Sequence, residues 1–227
     1  MNKKRTFLSS ILAISLAVVL LVLPVSAAAA RDEAESEATF TLTAGDDSVE
    51  PAEPGDGVIT EHSGPLSLDY VPNFRFGEKT LSSETEIYPD ESLRPNVQVS
   101  DRRGTGEGWT LSLKATPFQN TEKTRTLKGA VLRIKGIEIF NPNESQSEAP
   151  GVVSIGTGLE FGEGIGDGVS HTLMTAAIDK GQGTWLGKFY TVDSEDAITN
   201  LVELEVPAGN YAGSYKSVLT WTLEATP

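Results

Sequence analysis

Cysteine is absent from the 227-residue sequence, and histidine occurs twice, as His62 and His171. The lack of cysteine excludes disulfides, a thiolate nucleophile, a cysteine-based zinc site and a lipid-modified N-terminal cysteine. A metal site would depend on carboxylates, and no segment has the ligand spacing of an EF-hand loop. The sequence therefore predicts neither a metal nor a cofactor.

Familiar catalytic signatures are also missing. The chain has no G-x-S-x-G nucleophile elbow and no S-x-x-K motif. The glycine-rich stretch "GTGLEFGEGIGDG" matches neither a dinucleotide-binding motif nor a P-loop, and we expect it to be a loop. Two catalytic arrangements need no fixed spacing and stay open: a Ser-His-Asp triad built on His171, and a carboxylate pair among the 32 acidic residues. No motif favours either, so the sequence predicts a protein that is not an enzyme.

Basic residues are scarce, since 18 Lys and Arg stand against 32 Asp and Glu, for a formal net charge of −14. A chain this acidic repels nucleic acid, which we exclude as a partner. The stretch from Asp101 to Lys135 is the exception, with eight basic and three acidic residues. It is either an ordinary solvated surface or a local site for an anionic polymer or an acidic partner. The residues of this possible basic patch are Arg102, Arg103, Lys114, Arg125, Lys128 and Arg133.

The N-terminus has the order of a secretory signal peptide. In "MNKKRTFLSSILAISLAVVLLVLPVSAAAA", basic residues precede a long apolar run, a proline and a tract of small residues. We expect residues 1–30 to be removed by cleavage between Ala27 and Ala30; an uncleaved membrane anchor is the alternative. Cleavage removes three basic residues and leaves 15 basic and 32 acidic residues, a net charge of −17. The sequence thus predicts a secreted protein.

The rest of the chain divides into two parts. Residues 31–64 contain an alternating stretch, Thr39–Thr43, that predicts a strand, followed by an acidic linker rich in Pro and Gly. Residues 65–227 contain many short apolar segments bounded by turn residues, which predict a single all-β domain, an antiparallel β-sandwich with long loops. The best helix candidate is "HTLMTAAIDKG", and its pattern is ambiguous.

Two echoing segments carry most of the functional information. "GWTLSLKATPF" starts at Gly108, and "TWTLEATP" starts at Thr220. Residues two apart on a strand point the same way, so Trp109 shares a face with Leu111, and Trp221 with Leu223. Two hypotheses follow. In the first, the motifs lie on neighbouring strands with both tryptophans in one core. In the second, the tryptophans form an exposed platform for sugars or a partner protein.

Together with these motifs, six segments carry a resemblance to a known family: "GPLSLDYVPNFRFG" (64–77), "RPNVQVSDRRGTGEGWTLSLKATPF" (94–118), "LKGAVLRI" (127–134), "MTAAIDKGQGTWLGKF" (174–189), "VELEVPAG" (202–209) and "YKSVLTWTLEATP" (215–227). The chain resembles the WxL-domain surface proteins of low-GC Gram-positive bacteria. The resemblance implies an extracellular protein held noncovalently at the cell wall by binding peptidoglycan or another wall glycan. It also implies partners: a membrane-anchored WxL-interacting protein and other co-encoded surface proteins.

The resemblance assigns the attachment to the two Trp-x-Leu motifs. Carried over to this sequence, the binding residues are Trp109, Leu111, Trp221 and Leu223. The alternative is that this Trp-x-Leu face docks on the membrane-anchored WxL-interacting protein, so that wall association is indirect.

Overall fold

The computed structural model describes residues 34–153, 159–162, 169–194 and 197–226, with the backbone alone for 159–162. The predicted signal peptide, residues 1–30, lies outside the described residues. The chain divides into two units, Met1–Phe40 and Thr41–Pro227. In the first, residues 34–40 form neither helix nor strand. The described residues contain strands and no helix, which confirms the predicted all-β class.

No helix in the described part of the chain has the length and apolarity needed to cross a membrane.

The largest sheet has five antiparallel strands, and the middle one, β4 (Asn96–Asp101), is buried along its whole length. Val97 and Val99 belong to the hydrophobic core, whereas the alternate residues Gln98 and Ser100 are polar and face the other way. Across the sheet the order is β1 (Val58–Ile59), β2 (Leu66–Val71), β4, β12 (Gly183–Lys188) and β8 (Glu138–Phe140).

Two four-stranded antiparallel sheets complete the layers around the core. The first runs in the order β17 (Leu219–Ala225), β5 (Trp109–Ala115), β11 (His171–Ala176) and β9 (Gly151–Val152). The second runs β10 (Leu159–Gly162), β7 (Val131–Ile134), β15 (Val202–Val206) and β3 (Glu86–Pro89). Two short ribbons pair β13 (Tyr190–Val192) with β14 (Ile198–Asn200), and β16 (Tyr215–Lys216) with β6 (Gln119–Asn120).

A single hydrophobic core lies between the inner faces of these sheets, as expected for a sandwich-like domain. The strands that face the core contribute mainly alternate residues, because successive side chains of a strand point to opposite faces. The contributions of β5, β7 and β11 include residues with no solvent exposure or almost none: Trp109, Leu111, Leu113, Leu132, Ile134, Leu173 and Met174.

The acidic segment that composition predicts as a linker is attached to the five-stranded sheet over residues 45–57, here called the strap. The backbone N–H groups of Gly55 and Gly57 donate to the Tyr70 hydroxyl at 2.8 and 2.6 Å, and that of Ala52 donates to Oε1 of Gln98 at 2.7 Å. Buried polar groups of the sheet need hydrogen-bond partners, and the strap supplies them. The segment is therefore fixed to the domain predicted over residues 65–227.

Glu53 anchors the middle of the strap. Its carboxylate accepts hydrogen bonds from Nζ of Lys188, at 2.7 Å, and from the hydroxyl of Tyr190. Burial acts to raise the pKa of Glu53, but the two donors outweigh it and hold that pKa below its ordinary value. Burial and the neighbouring carboxylate raise the pKa of Tyr190, so its proton stays in place.

Three local expectations were wrong. Residues 39–43 belong to no strand in this chain and are exposed, because an alternating segment forms a strand only where it finds a partner. The helix candidate "HTLMTAAIDKG" forms β11 and the turn after it, since pairing with β5 and β9 overrides the weak local preference. In the glycine-rich stretch expected to be a loop, Leu159–Gly162 form β10, and the rest of the stretch lies outside the described residues.

Candidate functional site

The two Trp-x-Leu motifs lie on neighbouring antiparallel strands, β5 and β17. Trp221 lies opposite Leu113, Leu223 opposite Leu111, and Ala225 opposite Trp109. Each tryptophan therefore faces a smaller side chain across the ladder, and the motifs are interleaved along one sheet face. This arrangement agrees with the interpretation that the echoing segments meet in one β scaffold.

The first motif is part of the core. Trp109 and Leu111 are both 0% exposed, and Nε1 of Trp109 donates to the carbonyl of Gly181 at 3.1 Å. The alternative of an exposed platform is wrong for this pair, because a side chain without solvent exposure cannot stack on a sugar or a partner. Gly181 has φ +70° and leaves no room for a Cβ, which would come 2.9 Å from Nε1 of Trp109.

A clamp holds the loop that leads into Trp109. Arg103 pairs with the buried Asp101, with Nη2 at 2.7 Å from Oδ2 and Nε at 3.0 Å from Oδ1. The same guanidinium donates to the carbonyls of Glu107 and Gly108 at 2.7 and 3.0 Å. These contacts, the hydrogen bonds to Asp101 first among them, raise the pKa of Arg103. This arginine therefore supports the core tryptophan.

The second motif lies at a sheet edge and is half-buried. Trp221 packs its ring against that of Phe189, with centroids 5.9 Å apart, while Leu223 packs beside it on the same core face. A groove of about 270 Å³ opens between β17 and β2 at this edge. Its lining is mixed and consists of His62, Ser63, Leu66, Ser67, Leu68, Trp221 and Leu223.

The basic residues predicted as a possible patch have separate surroundings. Arg103 is held in the clamp, and Arg133 pairs with Glu203 and Glu205 of the adjacent strand β15 at 3.3 and 3.1 Å. Arg102 donates to the carbonyl of Asp47 in the strap. Arg125 stacks on a tyrosine ring described below, and Lys114 and Lys128 are exposed. Much of the positive charge in this stretch is therefore engaged in ion pairs, hydrogen bonds and a ring contact within the fold.

A second concavity, with a volume of about 1270 Å³, lies elsewhere; we call it the loop cleft. Its floor is the end of the core, where Leu127, Leu132 and Leu204 are buried. Its walls are two long loop segments, residues 73–82 and 209–217, with Tyr88 and Phe118 between them. Because the floor is built on β7 and β15, the loops are mounted on a rigid base.

Aromatic rings and charged groups alternate along the walls. Tyr211 is 58% exposed, and the Arg125 guanidinium lies 4.2 Å from its ring centroid. The Tyr215 hydroxyl donates to the Tyr211 carbonyl at 3.0 Å, which joins the two tyrosines. On the other wall, Lys79 Nζ lies 5.7 Å from the Tyr88 ring centroid.

Sequence reasoning missed this cleft. Its residues come from separated segments, and no pattern within any one of them indicates that they meet in a cleft. The runs "NFRFGEKT" and "AGNYAGSY" are rich in Gly and aromatics, the only local sign that they line a binding surface. Over the described residues, no group of three or more His, Cys, Asp or Glu side chains is placed to hold a metal ion.

Comparison with known proteins gives one match. The family model for the WxL domain, described as "WxL domain surface cell wall-binding", matches residues 29–227. Neither the curated proteins nor the solved structures gave a significant match. The matched range includes the strap, both motif strands and the loop cleft. This chain therefore belongs to the WxL family of cell wall-binding surface domains.

Proposed function

We propose that this protein is secreted and held noncovalently at the cell wall by peptidoglycan bound in the loop cleft. The observation that supports the proposal is the cleft itself, about 1270 Å³, with the exposed ring of Tyr211 and the half-buried rings of Tyr88 and Tyr215 above an apolar floor. Concave sites are the usual binding sites of proteins, and the many polar groups of this one suit a polar ligand such as a glycan. The role is one of binding without catalysis.

The cleft has the chemistry that a glycan with peptide stems requires. Tyrosine rings stack on the apolar faces of sugar rings and offer a hydroxyl at their edge. Tyr211 and Tyr215 present such rings from one wall, and Tyr88 presents one from the other. Lys79 and Arg75 add positively charged groups, which pair with Glu91 and Asp56 in the free protein, and Glu78 adds negative charge, for the carboxylates and amines of the stems.

In this proposal the two motifs act through the fold. Trp109 and Leu111 fix β5 in the core, and Trp221 and Leu223 hold β17 against it. Leu219, at the start of β17, lines the cleft, so the motif strands position one of its walls. This role differs from the direct attachment that the family resemblance assigns to the motifs.

Co-sedimentation with purified peptidoglycan tests the proposal. We expect the Tyr211→Ala and Tyr215→Ala double variant to bind about tenfold more weakly or worse, as for central aromatic anchors. Phe140→Ala is the matched control, since Phe140 is a partly exposed aromatic on β8 that does not line the cleft. Equal binding by the folded double variant and the wild-type protein would contradict the proposal, as would turnover of the peptidoglycan.

The second candidate is docking on a membrane-anchored WxL-interacting protein through the Trp-x-Leu face. The half-buried Trp221 and Leu223 at the edge of the sheet favour it. Retention at the surface distinguishes the candidates. Loss of the protein from the wall of a strain lacking the membrane-anchored protein supports docking, and unchanged retention supports direct binding.

A further inference from the structure

Strand β17 lies at the edge of its sheet. In the described part of the chain it pairs with β5 alone, along all seven of its residues. The outer edge of a strand presents N–H and C=O groups that can pair with another strand. Beside this edge lies the 270 Å³ groove, where Trp221 and Leu223 remain half-buried.

A second segment of the same chain lacks a partner. Residues 37–44, "EATFTLTA", belong to no helix, strand or turn, and no hydrogen bond joins their backbone to other described residues. Phe40 and Leu42 are 85% and 83% exposed, although they are large and apolar. Isolated exposed apolar residues are ordinary, but two on one side of an alternating segment form a strand face without a core.

The two features match in pattern. "TFTLT" (39–43) repeats the order of "TWTLE" (220–224), with an aromatic residue and a leucine two positions apart. As a strand, the N-terminal segment would place Phe40 and Leu42 on one face and its threonines on the other. The exposed threonines of β17, Thr220 and Thr222, alternate in the same way with its half-buried apolar residues.

We propose that residues 37–44 of one copy add as a strand to the outer edge of β17 in a second copy. Phe40 and Leu42 then cover the groove beside Trp221, and the threonines extend the outer hydroxyl-bearing face of the sheet. The occupant is a second copy because the described residues of the same chain leave Phe40 and Leu42 exposed, and because the segment carries the same alternation as the strand it joins. The proposal is independent of glycan binding in the loop cleft.

Self-association tests the proposal directly. The chain expressed from residue 31 is followed by sedimentation velocity over a concentration series. We expect concentration-dependent association that the Phe40→Asp and Leu42→Asp double variant weakens about tenfold or more. The Thr41→Asp and Thr43→Asp double variant, which places the same charge on the opposite face, is the control and should weaken it less. Both mutated side chains are exposed, so folding is not at risk.

Disulfide trapping identifies the pairing. Because the chain has no cysteine, each introduced thiol is unique. A chain with Cys in place of Thr39, Thr41 or Thr43 is mixed with a Thr222→Cys chain. We expect a mixed dimer from at least one of the three positions, since paired strands bring Cα atoms within disulfide reach. Glu122→Cys, in an exposed turn, replaces Thr222→Cys as the control.

Three results would overturn the proposal. The first is a monomer at every concentration, which would leave the edge of β17 to a different protein. The second is association that persists unchanged in the Phe40→Asp and Leu42→Asp variant. The third is a Thr41→Cys and Thr222→Cys double variant that cross-links only within one chain. Co-sedimentation with peptidoglycan measures none of these three results, so either proposal can fail without the other.

Discussion

At the residue scale, the two motif tryptophans differ in depth. Trp109 lies in a central strand with its ring enclosed and its Nε1 bonded to Gly181, whereas Trp221 lies in an edge strand with part of its ring toward the groove. The free energy of unfolding should therefore respond differently to the loss of each ring, because truncation removes buried contacts in proportion to depth.

Trp109→Ala should lower the free energy of unfolding by about 3–5 kcal/mol, the range for large buried aromatic residues. Trp221→Ala should lower it by about 1–2 kcal/mol, since part of its apolar area is already exposed. Urea unfolding followed by circular dichroism measures both, with the exposed Val218→Ala as control. Equal losses of unfolding free energy in the two variants would contradict the deeper burial of Trp109.

Gly181 should be sensitive to a single added methyl group. A Cβ there would come 2.5 Å from Cβ of Ala176 and 2.9 Å from Nε1 of Trp109, and φ is +70°. Gly209 has φ +84° with no atom within 4 Å, so Gly209→Ala carries only the backbone cost of about 1–2 kcal/mol. Gly181→Ala should cost at least about 1 kcal/mol more in urea unfolding, from overpacking. A loss of unfolding free energy no larger than that of Gly209→Ala would contradict the tight packing of Gly181 against Trp109.

At the scale of elements, the strap should respond to pH through Glu53. The pKa of Glu53 is lower in the folded protein than its ordinary value of 4.5, so its contribution to stability is present above that value. This contribution is lost as the pH falls through the lower, folded-state pKa. The difference in unfolding free energy between the wild-type protein and Glu53→Gln should therefore shrink between about pH 7 and about pH 3. A difference that stays constant over this range would contradict the anchoring role.

Much of the strand framework could be predicted, because alternation is a local signal. "WTLSLKA" and "LTWTLEA" each place apolar residues two apart, and both form the strands that this pattern indicates. Which strand is central and which lies at an edge could not be predicted. That choice depends on ladders between residues about a hundred positions apart, such as Trp221 with Leu113. The complete burial of Trp109 and the partial burial of Trp221 both follow from it.

The strap and the loop cleft could not be predicted for a different reason. The strap is held by backbone groups and by Tyr70, Gln98 and Lys188, which are distant in sequence. Composition alone therefore suggested a free acidic linker. The cleft appears only when the loops around residues 76 and 211 meet over the core. The sequence predicts Arg103 as part of a basic patch, whereas its ion pair with Asp101 depends on the folded structure.

At the scale of the whole molecule, the net charge sets how the protein approaches a wall that carries anionic polymers. The predicted secreted chain has a charge of −17, and Arg103 and Arg133 are already paired with acids. Added salt screens the repulsion, with a Debye length of about 8 Å at physiological ionic strength. Co-sedimentation with whole walls should therefore hold or rise between low and physiological salt. A steep fall would indicate attachment through the basic residues instead.

The most direct test compares the motif with the cleft in one co-sedimentation experiment on purified peptidoglycan. Two folded proteins are measured beside the wild type: Trp221→Ala, and the double variant Tyr211→Ala and Tyr215→Ala. The account predicts that Trp221→Ala still pellets with peptidoglycan and that the tyrosine variant stays in solution. The reverse result, with binding lost in Trp221→Ala and kept in the tyrosine variant, would contradict it and return the attachment to the Trp-x-Leu motif.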